Sequence, residues 1–378
     1  MRKEQTAEVN KLIRKMKRIY SIIVSGFLAG YYDKSMKYIE QEEELLKLFE
    51  GDVPEAIKAI HIEWLGYRAN ISAYRGNLLL SFKAANELLR VGQFYNNKRG
   101  ILEGNFYLGN YYWLSGDRDK AFEHLDRAIK LGEEILNDFM DFIRLTTYHY
   151  IAIRVSIDNE DLERAKKYLK RLEEINRIKP EEFYIESMYR LAKGYILKSN
   201  MRSRERVMAE DLFRGIMEDD LSINMTKIQA LIGLCELLLI ELRISNDINI
   251  INEIKPLLEK LMGMAQHSGL YFFLIDAYIL QGKLALIMFD MESSRHYLMQ
   301  AQQLSEKYGF IGLAKEISAL HKAMMEKKDT WEQMEKRDAP VSERMDLARL
   351  DEHLNGKFRR LMMRMERATE TPPKKEVF

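Results

Sequence analysis

Residues 103–134 read EGNFYLGNYYWLSGDRDKAFEHLDRAIKLGEE, and this stretch decides the fold. Two helix-forming segments flank Gly116, which supplies a tight turn between them. Leu108, Gly109 and Tyr112 fall on one face of the first segment; Ala121, Leu125 and Ala128 fall on one face of the second. Gly109 and Ala121 are small enough for two helix backbones to cross closely. Tyr112, Leu125 and Ala128 fill the layer beside that crossing. The unit is therefore an antiparallel helix pair.

The pattern recurs in weaker form. Ala69, Gly76-Asn77, Ser81, Ala85 and Leu88 make an earlier copy, and Gly30, Ser35 and Ile39 mark the first. Later copies carry Ile151-Ala152, Val155, Ala165 and Leu169, then Leu191-Ala192, Tyr195, Ala209, Phe213 and Ile216. A loose copy spans Ala230 to Ala265, and the last shows Tyr278, Gly282, Ala285, Asp290, Ser294, Leu298 and Ala301. Turns fall near residues 30, 76, 116, 160, 204, 249 and 289, a step of about 40–46 residues. One pair cannot bury its apolar face alone, so neighbouring pairs are expected to stack.

These spacings resemble the tetratricopeptide repeat (TPR). The period exceeds the usual unit of roughly 34 residues, and in this the chain is similar to the solenoids of MalT-type bacterial regulators. The phrases Leu191–Lys198, Leu234–Glu241 and Ala301–Gly309 also resemble uncharacterised archaeal TPR proteins. The fold expected is all-α: a right-handed α-solenoid of about seven antiparallel helix pairs, with a C-terminal helical extension. A helical array of another kind, such as HEAT-like pairs, is the competing reading. The division expected is a repeat array over residues 1–327, a charged extension or cap over 328–368, and a disordered tail over 369–378.

Composition agrees with helix. Only six prolines occur in 378 residues, and each is expected where a helix starts or stops, Pro256 included. Past Met325 the pattern changes: a charged run containing Trp331 reaches Pro340, and a helix is expected from Ser342 to about Arg367. Its basic end fits a capping helix whose cations sit near its C-terminus; a partner-binding or self-associating helix is the other reading. The abrupt Lys-Lys-Glu-Val-Phe ending fits a piece of something longer.

The charge balance, Lys+Arg 59 against Asp+Glu 58, argues against a general polyanion binder. The apolar runs Ile19–Leu28 and Ile228–Ile240 are short for a membrane span and read as core. The single cysteine, Cys235, lies in an apolar run and reads as a buried thiol in a reducing, cytoplasmic setting. Phosphate-loop, zinc and nucleophile patterns are missing, so neither an enzyme nor a cofactor is expected.

The resemblance implies that the first helix of each pair lines a partner-binding groove. Carried onto this chain, the groove positions are Glu63, Asn70 and Tyr74 in one unit, and Glu103, Phe106, Asn110 and Trp113 in the next. His149, Tyr189, Lys193, Asp276 and Lys283 follow in later units. Asn70 and Asn110 share a register, and an Asn amide can both donate to and accept from a peptide backbone. A chaperone-tail clamp would need a Lys four residues before each Asn, where this chain has Gly66 and Phe106. The function expected is a scaffold for a protein or peptide partner. The alternative is a sensor or regulatory module that binds a small ligand or peptide.

Overall fold

The computed structural model describes residues 2–46, 54–75, 77–115, 117–199, 203–308 and 311–350. The side chains of residues 2–9, Leu28, Tyr74, Phe139, 311–313 and 316 lie outside the described residues. So do Gly76 and Gly116, and the part of the expected terminal helix and tail beyond residue 350.

Seventeen helices are described: α1 (Arg2–Leu28), α2 (Tyr32–Leu46), α3 (Glu55–Tyr74), α4 (Leu78–Phe94), α5 (Lys98–Leu114), α6 (Arg118–Glu134), α7 (Phe139–Asp158), α8 (Leu162–Ile178) and α9 (Phe183–Lys198). They continue with α10 (Ser203–Glu218), α11 (Asn224–Ser245), α12 (Ile250–His267), α13 (Tyr271–Ile287), α14 (Met291–Lys307), α15 (Ile311–Glu326), α16 (Lys328–Lys336) and α17 (Val341–Leu347). The first fourteen form seven pairs whose internal turns coincide with those read from the sequence. The fold is an all-α array of TPR-like pairs packed in chain order, with a helical extension.

The chain divides into two compact units. Unit 1 comprises Met1–Trp113, Asp117–Ala230 and Gln266–Leu270; unit 2 comprises Leu114–Gly116, Leu231–Ala265 and Tyr271–Phe378. The boundary thus falls inside α11.

Each pair is started and closed by local chemistry. The side chains of Asn77, Asp117, Asp161 and Asp290 cap the second helices α4, α6, α8 and α14, each accepting from the backbone amide three residues on, at 2.9–3.3 Å. Just before two of these caps, Glu160 and Phe289 take left-handed backbone at φ 60° and 61°. The caps mark where the chain reverses.

In five of the seven pairs a small residue stands at the crossing. Ser35 Oγ donates to the Ile23 carbonyl at 3.1 Å and Ser81 Oγ to the Ala69 carbonyl at 2.8 Å, in both cases across 12 residues. In the α5/α6 pair Gly109 stands at the same spacing from Ala121. A Cβ at Gly109 would lie 2.7 Å from the Leu125 side chain and 3.2 Å from the Ala121 carbonyl. Phe213 and Leu298 press in the same way on Gly194 and Gly282 in the α9/α10 and α13/α14 pairs. In these three pairs a glycine on the first helix and a large side chain from the second interlock, which sets the distance between them.

Two expectations are corrected. Pro256 does not open a helix; it lies within α12. The helix runs in from Ile250 with Asn252 bonded to Asn249, so proline removes one amide bond of the second turn without ending it. The terminal helix does not run on past Leu347 either. Arg349 takes left-handed backbone at φ 54°, and Leu350 folds back to bond the Met345 carbonyl at 3.0 Å. Trp331 is packed, at 3% exposure, against Phe289.

One core residue breaks the pattern. Glu42 of α2 is fully buried, and among the described residues neither carboxyl oxygen has a hydrogen-bond partner. Burial pushes its pKa from 4.5 up to about 8. The folded chain then holds a proton that the unfolded chain loses above pH 4.5, so stability falls as pH rises through that window and stays low above 8. Glu42→Gln should therefore stabilise the fold increasingly with pH. Urea unfolding at pH 5 and pH 9 should show the gain differing by on the order of 2 kcal/mol; an equal gain at both would refute it. Gly109→Leu should cost on the order of 3 kcal/mol by overpacking the crossing. A urea midpoint that hardly moves would show the crossing to be elsewhere.

Candidate functional site

The first helices of unit 1 carry two polar bands that the pairing brings into line. The first is centred on Arg144 of α7. Its Nη2 lies 2.6 Å from Glu63 Oε1 on α3, and its Nε 2.7 Å from Glu103 Oε1 on α5. Asp141, one turn earlier, stands 3.7 Å from Nη1 and also pairs with Arg99 at 2.7 Å. One guanidinium therefore joins three successive first helices.

Aromatic rings enclose this ion cluster. Phe106 and Tyr148 pack with centroids 4.3 Å apart, and Phe106 and Tyr107 at 5.0 Å. Tyr107 fits because residue 66 has no side chain: a Cβ there would lie 3.3 Å from its ring. Tyr20 and Tyr67 meet edge to face at 6.2 Å. Burial, then the nearby carboxylates, push the Tyr20 and Tyr148 hydroxyls well above the usual tyrosine range. Burial opposes the Arg144 charge, but Glu103 and Glu63 more than offset it, and the guanidinium is held more firmly protonated than usual. Burial pushes the Glu103 carboxyl up despite Arg144 beside it.

The second band lies nearer the C-terminal ends of these helices. Trp113 Nε1 donates to Asp158 Oδ2 on α7 at 2.8 Å. Between them Arg154 stacks on the Tyr195 ring of α9 at 3.6 Å and reaches the Trp113 ring at 5.9 Å. Its Nη1 donates to the Tyr150 hydroxyl at 3.0 Å. Cation–π contacts of this kind join α5, α7 and α9.

The candidate positions divide accordingly. Glu63, Glu103 and Phe106 belong to the first band, and Trp113 to the second. Asn70 is half-buried and Asn110 buried at 6% exposure; among the described residues neither amide has a side-chain hydrogen-bond partner. The Tyr74 side chain lies outside the described residues. His149 is turned toward Tyr168 of α8 and bonds the Leu145 carbonyl at 2.8 Å, so it sits inside its own pair. Burial lowers its pKa. Tyr189 and Lys193 contact each other on α9, the ammonium 5.6 Å from the ring centroid. In unit 2, Asp276 lines a small cavity with Cys235, Glu236 and Leu258, and Lys283 donates to the Arg349 carbonyl at 2.9 Å. The Asn70–Trp113 group and the Asp276–Lys283 pair thus belong to separate units.

The sequence reading missed Arg144, Arg154 and Asp158, which organise both bands. A signal existed: two arginines stand among the many apolar residues of the helix FMDFIRLTTYHYIAIRVSID. A buried arginine needs carboxylate or aromatic partners. Breaking this one should be costly: Arg144→Met is expected to lose roughly 3–5 kcal/mol, because Glu103 is left buried without its counter-charge. Adding Glu103→Gln should restore a substantial part. Urea unfolding of the singles and the double gives the coupling, and simple additivity would show that the pair does not act as one.

No protein-family model and no curated protein sequence matches the chain. Among solved structures it is similar to that titled "Crystal Structure of Rap Protein Complexed with Competence and Sporulation Factor". The match covers 95% of this chain and 98% of that one, at a TM-score of 0.56 and 10% identity. At that identity the likeness concerns the fold alone, and the fold it shows is a TPR-like helical repeat.

Proposed function

We propose that the chain is a cytoplasmic protein-interaction scaffold that takes a peptide or protein segment along the first-helix face of unit 1, centred on Asn70 and Asn110. The observation that carries this reading is the pair of matched asparagines that have no side-chain partner among the described residues, set among side chains that are otherwise engaged. The Arg144 and Arg154 bands hold the surrounding rings and charges in place. A peptide backbone can satisfy both the carbonyl and the amine of each Asn. Trp113, half-buried, supplies rigid aromatic surface at small entropic cost. A pre-ordered face of this kind saves the ordering cost of binding.

A second reading is a sensor or regulatory module that binds a small ligand or peptide. Its support is the neighbour of like fold, whose title reports a complex with a factor. The expected fold class is the same; the two readings differ in the ligand.

A display library of random peptides selected against the whole chain tests the first reading. Selected peptides should bind Asn70→Ala plus Asn110→Ala at least ten-fold more weakly, while the melting temperature stays nearly unchanged. Undiminished affinity would refute the face. A melting temperature raised by a small molecule rather than by selected peptides would favour the second reading.

A further inference from the structure

Past α16 the chain leaves the stacking order. Helix α15 packs on α14 and α16 on α15, but α17 returns to α13. The segment from Asp338 to Leu350 lies against the C-terminal ends of α11 and α13, the first helices of unit 2. Val341, Met345, Ala348 and Leu350 are all at 4% exposure or less. Arg344 Nη1 donates to the Ile287 carbonyl at 3.3 Å, and its guanidinium stacks 4.3 Å from the centre of the Phe289 ring.

The segment is held through its main chain as well as its side chains: the Oδ1 of Asn246, just past α11, accepts from the Ser342 amide at 3.0 Å, and Lys283 Nζ of α13 donates to the Arg349 carbonyl. Arg243 adds an ion pair to Asp346 at 2.5 Å, with the two side chains 33% and 61% exposed. Lys283, one of the positions the repeat register singled out, is itself 1% exposed because its own chain covers it. A helix of seven residues has little stability of its own. It is held by the face it lies on, partly through an ion pair that salt weakens.

We propose that Asp338–Leu350 is an intramolecular ligand occupying a docking face on α11 and α13. That face takes from another protein a short helical turn of the same chemistry: an apolar residue, then an arginine and a methionine at three- and four-residue spacing. The chain's own segment must leave before such a partner binds, so the contact is autoinhibitory. The proposal stands on unit 2 and does not depend on the face around Asn70 and Asn110.

The test uses the full chain and a fluorescent peptide with the sequence of residues 338–350. Anisotropy should show the Arg344→Ala chain, whose own segment is loosened, binding the peptide at least ten-fold more tightly than the unaltered chain. A peptide carrying Arg344→Ala should not bind either chain. Equal affinity of both chains, or binding that ignores the peptide's arginine, would overturn the proposal. Hydrogen exchange on the unaltered chain keeps the test decisive if the variant misfolds. Amides of residues 341–350 should exchange at least a hundred-fold faster than those in the middle of α13. Exchange of both at one common rate would mean that the segment leaves only on global unfolding, and it would sink the idea.

Discussion

The close crossing inside each helix pair is the constraint on which the rest depends. A serine bonded to a carbonyl, or a glycine filled by a leucine or phenylalanine, sets how near the two helices lie. That distance fixes where the next pair can pack, and so how near successive first helices come. Arg144 can touch Glu103 and Glu63 only because α3, α5 and α7 are held side by side. Arg154 reaches the rings of Trp113 and Tyr195 for the same reason. The polar bands are consequences of apolar geometry at the opposite edge of the first helices.

Charge inside the array is handled in two ways. Arg144 sits between carboxylates, and its desolvation is offset by their attraction and by direct hydrogen bonds. Glu42 has no such arrangement and answers burial by keeping its proton. The first solution fixes the relative positions of three helices. The second gives stability a dependence on pH. A buried pair of this kind contributes more to uniqueness of arrangement than to net stability, since an apolar replacement of both partners is often neutral. That suits the binding face proposed around Asn70 and Asn110.

The extension past α16 departs from the stacking order. The 338–350 segment is held through its main chain, by Arg344 and by the Arg243–Asp346 ion pair, which is open to water. Its turn at Arg349 depends on left-handed backbone, which a non-glycine residue adopts only where surrounding contacts require it. The continuous helix suggested by the spacing of Met345, Leu350 and later apolar residues gives way at that point. Burial of Leu350 and the Lys283 bond favour the turn over another turn of helix.

The sequence by itself determined the pairs, their turns and the small residues at the crossings. All of these are local: a turn lies within a few residues, and a helical face repeats every three or four positions. Hence the all-α repeat fold was legible, as was the placing of Glu63, Glu103, Phe106 and Trp113 on first helices. Only the tertiary structure decided which polar groups meet. Arg144 and Glu63 are 81 residues apart, and Trp113 and Asp158 are 45 apart. Nothing local to either partner encodes such a contact; it exists only once the crossings have set the helices side by side. The same holds for His149, turned into its own pair, and for Lys283, covered by a segment 66 residues further along. Side-chain direction about a helix follows from its pattern, but the neighbour it finds follows from packing.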